Sequence, residues 1–279
     1  MKRILPLLML LVAFVATVAL LGTHGTPAGA ADPFITVAST TSTENSGLFA
    51  DILPRFKAAT GIDVYVVAMG TGQAIKIARN GDADVLFVHH RASEDQFMAE
   101  GFATRRYDVM YNDYVIVGGA GDPAGIAGMQ DAAAALQRIA AAKAPFASRG
   151  DNSGTHKKEL ELWRAAGVNV KDAAGTWYRE LGSGMGATLN TAAGMGAYAL
   201  TDRGTWLSFK NRRGLRVVVE GDPRMFNPYG VMLVNPARFP NVKAREGQAF
   251  IDWLIGPEGQ RAIGAFKING EALFTPNSQ

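Results

Sequence analysis

Beyond residue 33 the chain consists of short apolar runs, each breaking into a polar turn and then into a helical pattern. Phe34 to Ala38 is the first run. It ends in six successive polar residues, STTSTE, and GLFADILPRFKAATG then sets Phe49, Ile52, Leu53 and Phe56 at helical spacing before Gly61. This predicts a strand, a polar turn and an amphipathic helix, which Pro54 should bend. The theme recurs: IDVYVVA (62–68) predicts a strand, MGTGQ a turn, 74–79 a short helix and DADVLFVHH (82–90) a third strand. Further on, YVIVGG (114–119) predicts a strand, 131–143 an alanine-rich surface helix, APFAS (144–148) a strand and 155–166 a helix. Two more strands, 216–220 and 229–235, precede a pair of helices over REGQAFIDWLIG and GPEGQRAIGAF. Strands alternating with helices imply an α/β protein with a mainly parallel sheet covered on both faces.

The first thirty residues follow another pattern. Lys2 and Arg3 precede an apolar run from Ile4 to Leu21 and a small-residue end, Ala28-Gly29-Ala30, the layout of a secretory signal. Residues 1–30 are therefore expected to be a signal peptide cleaved after Ala30 or Ala31, leaving a periplasmic or secreted protein. A retained anchor is the alternative, since a mostly apolar run of this length can just span a bilayer. The chain has no cysteine, which excludes a lipid-modified cysteine, disulfides and thiol chemistry. Lys2 and Arg3 are the only charges in the leader, so the formal +3 of the whole chain falls to about +1 without it. A near-neutral chain without basic runs argues against a nucleic-acid partner. Its 279 residues suffice for one large domain or two of about 100 to 150 residues each.

Three turns at strand ends are crowded with hydroxyls and glycines: Ser39 to Thr43, Gly70 to Gly72, and Ser148 to Thr155. In open α/β sheets ligands bind beyond the carboxyl ends of strands. The first N–H groups of a helix lack internal partners and carry about half a positive charge, so an anion is stabilised there. Hydroxyls add donors, and glycines let the backbone come close. Taken singly, each turn could equally be an ordinary cap, and Thr41 and Glu44 have capping-box spacing. Arg149 adds a guanidinium suited to oxyanions, or to a salt bridge with Asp151, or to both.

Ser153, His156 and Asp151 also list the members of a hydrolase triad, so a secreted hydrolase using Ser153 is a remote alternative. Three members within six residues cannot generally take the mutual geometry a triad needs, and the GxSxG spacing is absent. His156 is expected on the surface of the early helix. His89 and His90 are adjacent, so on a strand they point to opposite faces and form no metal pair. GTGQA lacks the Walker lysine and the GxGxxG spacing, which leaves nucleotide binding without support.

STTSTENSG resembles the TTTS turn of the tungstate-binding proteins of bacterial ABC uptake systems, and SRGDNSGTH (148–156) resembles that family's SRGD(D/N)SGTH signature. GTGQAI, GDADVLFVHH, YNDYVIVG, LTDRGTWL, NPYGVMLVNP and FIDWLIGPEGQ resemble further family segments in the same order, so the likeness covers nearly all of 35–270. It implies a type II periplasmic binding protein, with two α/β lobes, a two-strand hinge and the ligand in the cleft between the lobes. It further implies a monomeric receptor, not an enzyme and without a cofactor, that captures tungstate outside the membrane and hands it to a membrane permease.

Carried over residue by residue, the resemblance implies Thr40, Thr71, Arg149 and Thr155 as direct ligands, with Ser42, Ser153 and nearby backbone N–H groups beside them. Tungsten would be held only as tungstate, never as a bare metal ion. Ser39 stands where the family motif begins with threonine, which puts its role in doubt. Chain order places lobe one at 32–113 plus 226–279 and lobe two at 114–225. Phosphate, with a second pKa of about 6, is partly protonated near neutral pH and benefits from an acceptor, whereas tungstate and molybdate need donors alone. Asp151 is the carboxylate placed to accept such a proton, unless it pairs with Arg149. Molybdate, phosphate or another oxyanion therefore stands as the alternative ligand.

Overall fold

A computed structural model describes residues 33–278; the expected signal peptide lies outside the described residues. Strand β1 (Phe34–Thr40), the short helix α1 (Thr41–Asn45), α2 (Leu48–Thr60), β2 (Asp63–Met69), α3 (Thr71–Arg79), β3 (Val85–Val88), α4 (Arg91–Ala99) and the long β4 (Tyr107–Gly118) follow one another. Next come α5 (Ala132–Ala142), β5 (Phe146–Ser148), α6 (Gly154–Ala165), β6 (Tyr178–Glu180), α7 (Met185–Met195), β7 (Ala199–Asp202), α8 (Arg203–Ser208) and β8 (Arg216–Val219). The chain finishes with β9 (Phe226–Leu233), α9 (Ala244–Ile255), α10 (Pro257–Ala265), a two-residue hairpin pair β10 (Lys267–Ile268) and β11 (Glu271–Ala272), and β12 (Thr275–Pro276).

β1 lies between β2 and β3 and is parallel to both. Because successive strand side chains point to opposite faces, one strand can serve two cores. Ile35, Val37, Val85 and Phe87 join Phe49, Ile52, Phe56 and Phe250 in one cluster, while Ala38, Leu86 and Val88 join Ala74, Ile75, Phe97 and Met232 in another. Helix α2 runs on through Pro54 and stops at Gly61, whose φ of 72° is the left-handed cap that glycine adopts freely.

The expectation of a mainly parallel sheet is corrected. The eight-stranded sheet is mixed: its β3–β9, β4–β9, β4–β7, β4–β8 and β12–β4 pairs are antiparallel. β9 returns from a distant part of the chain and enters between β3 and β4 against the direction of β3. A buried apolar run carries no mark of its direction, so hydrophobic pattern alone cannot reveal this.

β4 changes partners along its length. Tyr107 to Asp113 pairs with β9, whereas Tyr114 to Gly118 pairs with β7 and β8. Around that second part a separate aromatic cluster forms from Phe146, Trp163, Tyr178 and Tyr198 with Ile116, Ile139 and Leu162. The alanine-rich α5, expected as a surface element, buries Ala132, Ala135, Leu136 and Ile139 in this cluster. Phe146 and Trp163 meet edge to face at 5.1 Å, a contact worth about 0.5–1.5 kcal/mol beyond its area. It clamps α6 to β5 and so fixes both ends of the turn between them.

Candidate functional site

The Ser148 to Thr155 turn begins where β5 ends and is held by bonds among its own residues. Arg149 donates from Nε (3.1 Å) and Nη2 (2.5 Å) to Asp151 Oδ2, and Ser153 N donates to Asp151 Oδ1 at 3.2 Å. Burial alone would raise the Asp151 pKa. Bonds from Arg149 and Ser153, with the guanidinium charge, instead hold it below the usual carboxylate range. Both outcomes expected of Arg149 and Asp151 are thus compatible, since the guanidinium is paired yet remains buried in the turn. Gly150 has a φ of 60°, and a Cβ there would lie 2.8 Å from Cβ of Glu180, so only glycine fits.

Ser153 caps α6, its Oγ accepting from His156 N at 3.2 Å. His156 corrects the surface expectation: it is buried, and its Nδ1 accepts from Asn152 N at 3.1 Å. The ring thus props the turn, and burial, aided by the Arg149 charge, lowers its pKa despite Asp151 and Glu180. Asp151 is engaged with Arg149 and the His156 ring with a backbone amide, so the three groups of the imagined triad are each committed elsewhere.

Thr71 is the first residue of α3, which begins three residues before the expected 74, and its Oγ1 accepts from Gly154 N at 2.9 Å. A Cβ on Gly154 would lie 2.8 Å from that oxygen and 3.4 Å from Cε1 of His89; one on Gly72 would lie 3.2 Å from Nδ2 of Asn152. The second and third turns are therefore in contact, and these glycines permit the approach.

In the first turn the cap is Thr40 rather than Thr41. Its Oγ1 accepts from Thr43 N at 3.3 Å and lies 2.8 Å from Thr43 Oγ1. Ser39 Oγ donates to the Phe87 carbonyl at 2.7 Å, tying β1 to β3, so the proton of this serine is committed within the fold. His89, at the carboxyl end of β3, joins this turn to the strands behind it. Its Nε2 lies 3.2 Å from Thr40 Oγ1 and 3.4 Å from Ser42 Oγ. Its Nδ1 lies 2.9 Å from Asn227 Oδ1 and 3.2 Å from the Tyr114 hydroxyl, and its ring stacks on Tyr229.

His89, Asn227 and Tyr114 are the residues that sequence reasoning missed. The available signal was position, since His89 ends a strand just as the three turns do. The adjacent rings diverge as expected. His90 caps α4, and its Nε2 meets Glu161 Oε1 of α6 at 3.2 Å.

All six expected residues, Thr40, Ser42, Thr71, Arg149, Ser153 and Thr155, are buried. Thr40 and Ser42 converge on His89, Thr71 on Gly154, and Gly154 on His89. Thr155 Oγ1, 1% exposed as a residue, makes no well-formed hydrogen bond, and its polar neighbour is the Tyr114 hydroxyl, whose pKa it lowers slightly against burial. A groove of about 450 Å³ reaches His89 from the side of His90, Arg91, Asp95, Lys158, Glu161 and Asn227; none of the six expected residues lines it, so it is distinct from the three turns. The locus holds hydroxyls, amides and a buried cation, while its one nearby carboxylate of the turn is already paired. That chemistry suits an anion bound through its oxygens.

The PBP superfamily domain profile matches residues 23–258. A relative from Peptoclostridium acidaminophilum named tungstate-binding protein TupA is 46% identical over 88% of this chain and 86% of its own length. Two solved structures are also similar. The tungstate binding protein TupA from Desulfovibrio alaskensis G20 is 46% identical at a TM-score of 0.79, covering 88% of this chain and 100% of that one. The tungstate ABC transporter protein from Geobacter sulfurreducens is 49% identical at 0.77, covering 85% and 100%.

Proposed function

The chain belongs to the PBP superfamily and, within it, to the tungstate-binding proteins of ABC transporters, and on that footing we propose that it captures tungstate outside the cytoplasmic membrane and delivers it to the transporter's permease. One observation carries the site assignment: Arg149 and the hydroxyls of three separate turns are buried around one locus, and Thr155 Oγ1 there has only the Tyr114 hydroxyl beside it and no well-formed hydrogen bond. A buried polar group without a partner costs about 1–3 kcal/mol, which an oxyanion accepting its proton would recover. Thr71, Thr155 and Arg149 are the direct donors, joined by Thr40 and Ser42. Ser153 contributes by capping α6, which aims the first amides of that helix.

The partner switch of β4 at Asp113 and Tyr114 supports lobes at 32–113 plus 226–279 and at 114–225, with β4 and the approach to β9 as the hinge. Closure of such lobes would expel water and strengthen each bond to the dianion. Receptors of this family work as transport proteins, and no covalent step is needed here. The protein acts as a monomer, exported by cleavage near Ala30.

Asp151 bears on selectivity. Its Oδ2 takes both bonds from Arg149 and its Oδ1 the single bond from Ser153 N, which leaves one lone pair of Oδ1 able to accept the proton of hydrogen phosphate. A proton-free tetrahedral dianion needs no such acceptor and calls only on the donors of the three turns. Calorimetry with tungstate, molybdate, sulfate and phosphate tests this: tungstate should bind most tightly and phosphate weakly. Absence of heat with every tetrahedral oxyanion would remove the proposal, and phosphate binding as tight as tungstate would return the alternative ligand.

A further inference from the structure

His89 is a buried ring whose two nitrogens face different duties. Asn227 donates from Nδ2 to Asn112 Oδ1 at 2.6 Å, which leaves its Oδ1 facing His89 Nδ1 at 2.9 Å. An amide oxygen accepts only, so Nδ1 carries the ring proton. A neutral ring then offers a lone pair at Nε2 to the hydroxyls of Thr40 and Ser42. Each hydroxyl has a single proton, and one donated to Nε2 is not available to an anion. A second proton on the ring, at Nε2, reverses the direction: the ring donates to these oxygens and both hydroxyl protons turn outward.

We propose that His89 is a positioning residue of the anion site, taking a proton from solvent at Nε2 as the oxyanion binds and so releasing the Thr40 and Ser42 hydroxyl protons to the ligand. This rests on the oxyanion-receptor reading above. The surrounding groups fit the exchange. Burial holds the free ring neutral, with Asp202 and the bond to Asn227 opposing it and the charges of His90 and Arg149 acting the same way as burial. Tyr114 and Tyr229, the remaining titratable neighbours, are kept as neutral phenols by burial. A dianion placed against Thr40 and Ser42 shifts that balance toward the imidazolium, because it brings two negative charges next to a cation in a poorly screened site.

The test is calorimetry of the full chain with sodium tungstate between pH 6.5 and 9, in amine and sulfonate buffers of different ionisation enthalpy. Wild type should take up as much as one proton per tungstate, and Kd should weaken by up to about tenfold per pH unit as pH rises through the window of uptake. His89→Gln places an amide that donates permanently, so it should bind within about tenfold of wild type at neutral pH but with no uptake and a flat profile. Tight wild-type binding without proton exchange overturns the proposal, whether or not the variant folds. So does an uptake that survives in His89→Gln and disappears in His156→Gln. A wild type that binds no oxyanion sinks the receptor reading itself, a result distinct from either.

Discussion

The turns at Thr40 to Thr43 and at Ser148 to Thr155 face one locus and are braced in opposite ways. In the second, Arg149, Asp151, Ser153 and His156 hold one another through bonds that span two to four residues. In the first, the hydroxyls lean on His89, 47 to 49 residues away, and His89 leans on Asn227, 138 residues further. A locally braced turn keeps its geometry wherever the chain carries it and is visible as a contiguous signature. A remotely braced turn exists only once β3 and β9 are paired, which makes its donors responsive to the state of the strands behind it.

The difference can be broken most directly at Arg149. Arg149→Ala removes the buried cation and leaves Asp151 uncompensated beside the anion, which should cost about 2–5 kcal/mol of binding, at least about thirtyfold in Kd by calorimetry. An unchanged Kd would reduce the second turn to a helix cap.

Glu159 sharpens the contrast, because it is the buried support beneath the second turn. It accepts from the Tyr178 hydroxyl at 2.7 Å, and burial pushes its pKa to about 8, against that bond and the lowering influence of nearby Ser148 and Trp163. Above pH 4.5 the unfolded chain has lost this proton while the folded chain keeps it until about pH 8. Stability therefore falls as pH rises across that window, by up to about 1.4 kcal/mol per pH unit, and levels off above it. Glu159→Gln should flatten this slope, leaving thermal melts near those of wild type at pH 4.5 and raised at pH 8; a wild-type melt independent of pH would refute it.

The smallest effect is set by one atom. Thr155→Val keeps the shape of the side chain and deletes a donor, which should weaken tungstate binding by about 1.5–3 kcal/mol, the range for a hydrogen bond to a charged group. Because Thr155 Oγ1 makes no well-formed hydrogen bond in the fold and has only the Tyr114 hydroxyl beside it, the melting temperature should change little. A variant that loses stability but not affinity would make Thr155 a structural residue.

Legibility along the chain follows the distance between partners. β1, α2 and β3 were readable because their apolar spacing is periodic over a few residues, and the Arg149–Asp151 pair because its members are two residues apart. Ser39 was open to reading only as a departure from a motif; its bond to the Phe87 carbonyl crosses from β1 to β3. His156 looked exposed because helical position says nothing about the turn that folds back over it at Asn152.

The sequence by itself determined the alternation of strands and helices, the chemistry of the three turns and the place of the buried cation, all set by local periodicity, capping and bonds between near neighbours. Only the tertiary structure decided the antiparallel entry of β9, the meeting of Thr71 with Gly154, and the choice of His89 as the hub of the first turn. Those depend on which strands pair and in which direction, and a pattern of apolar and polar positions carries no information about pairing between segments far apart in the chain, from 49 residues for His89 and Thr40 to 138 for His89 and Asn227.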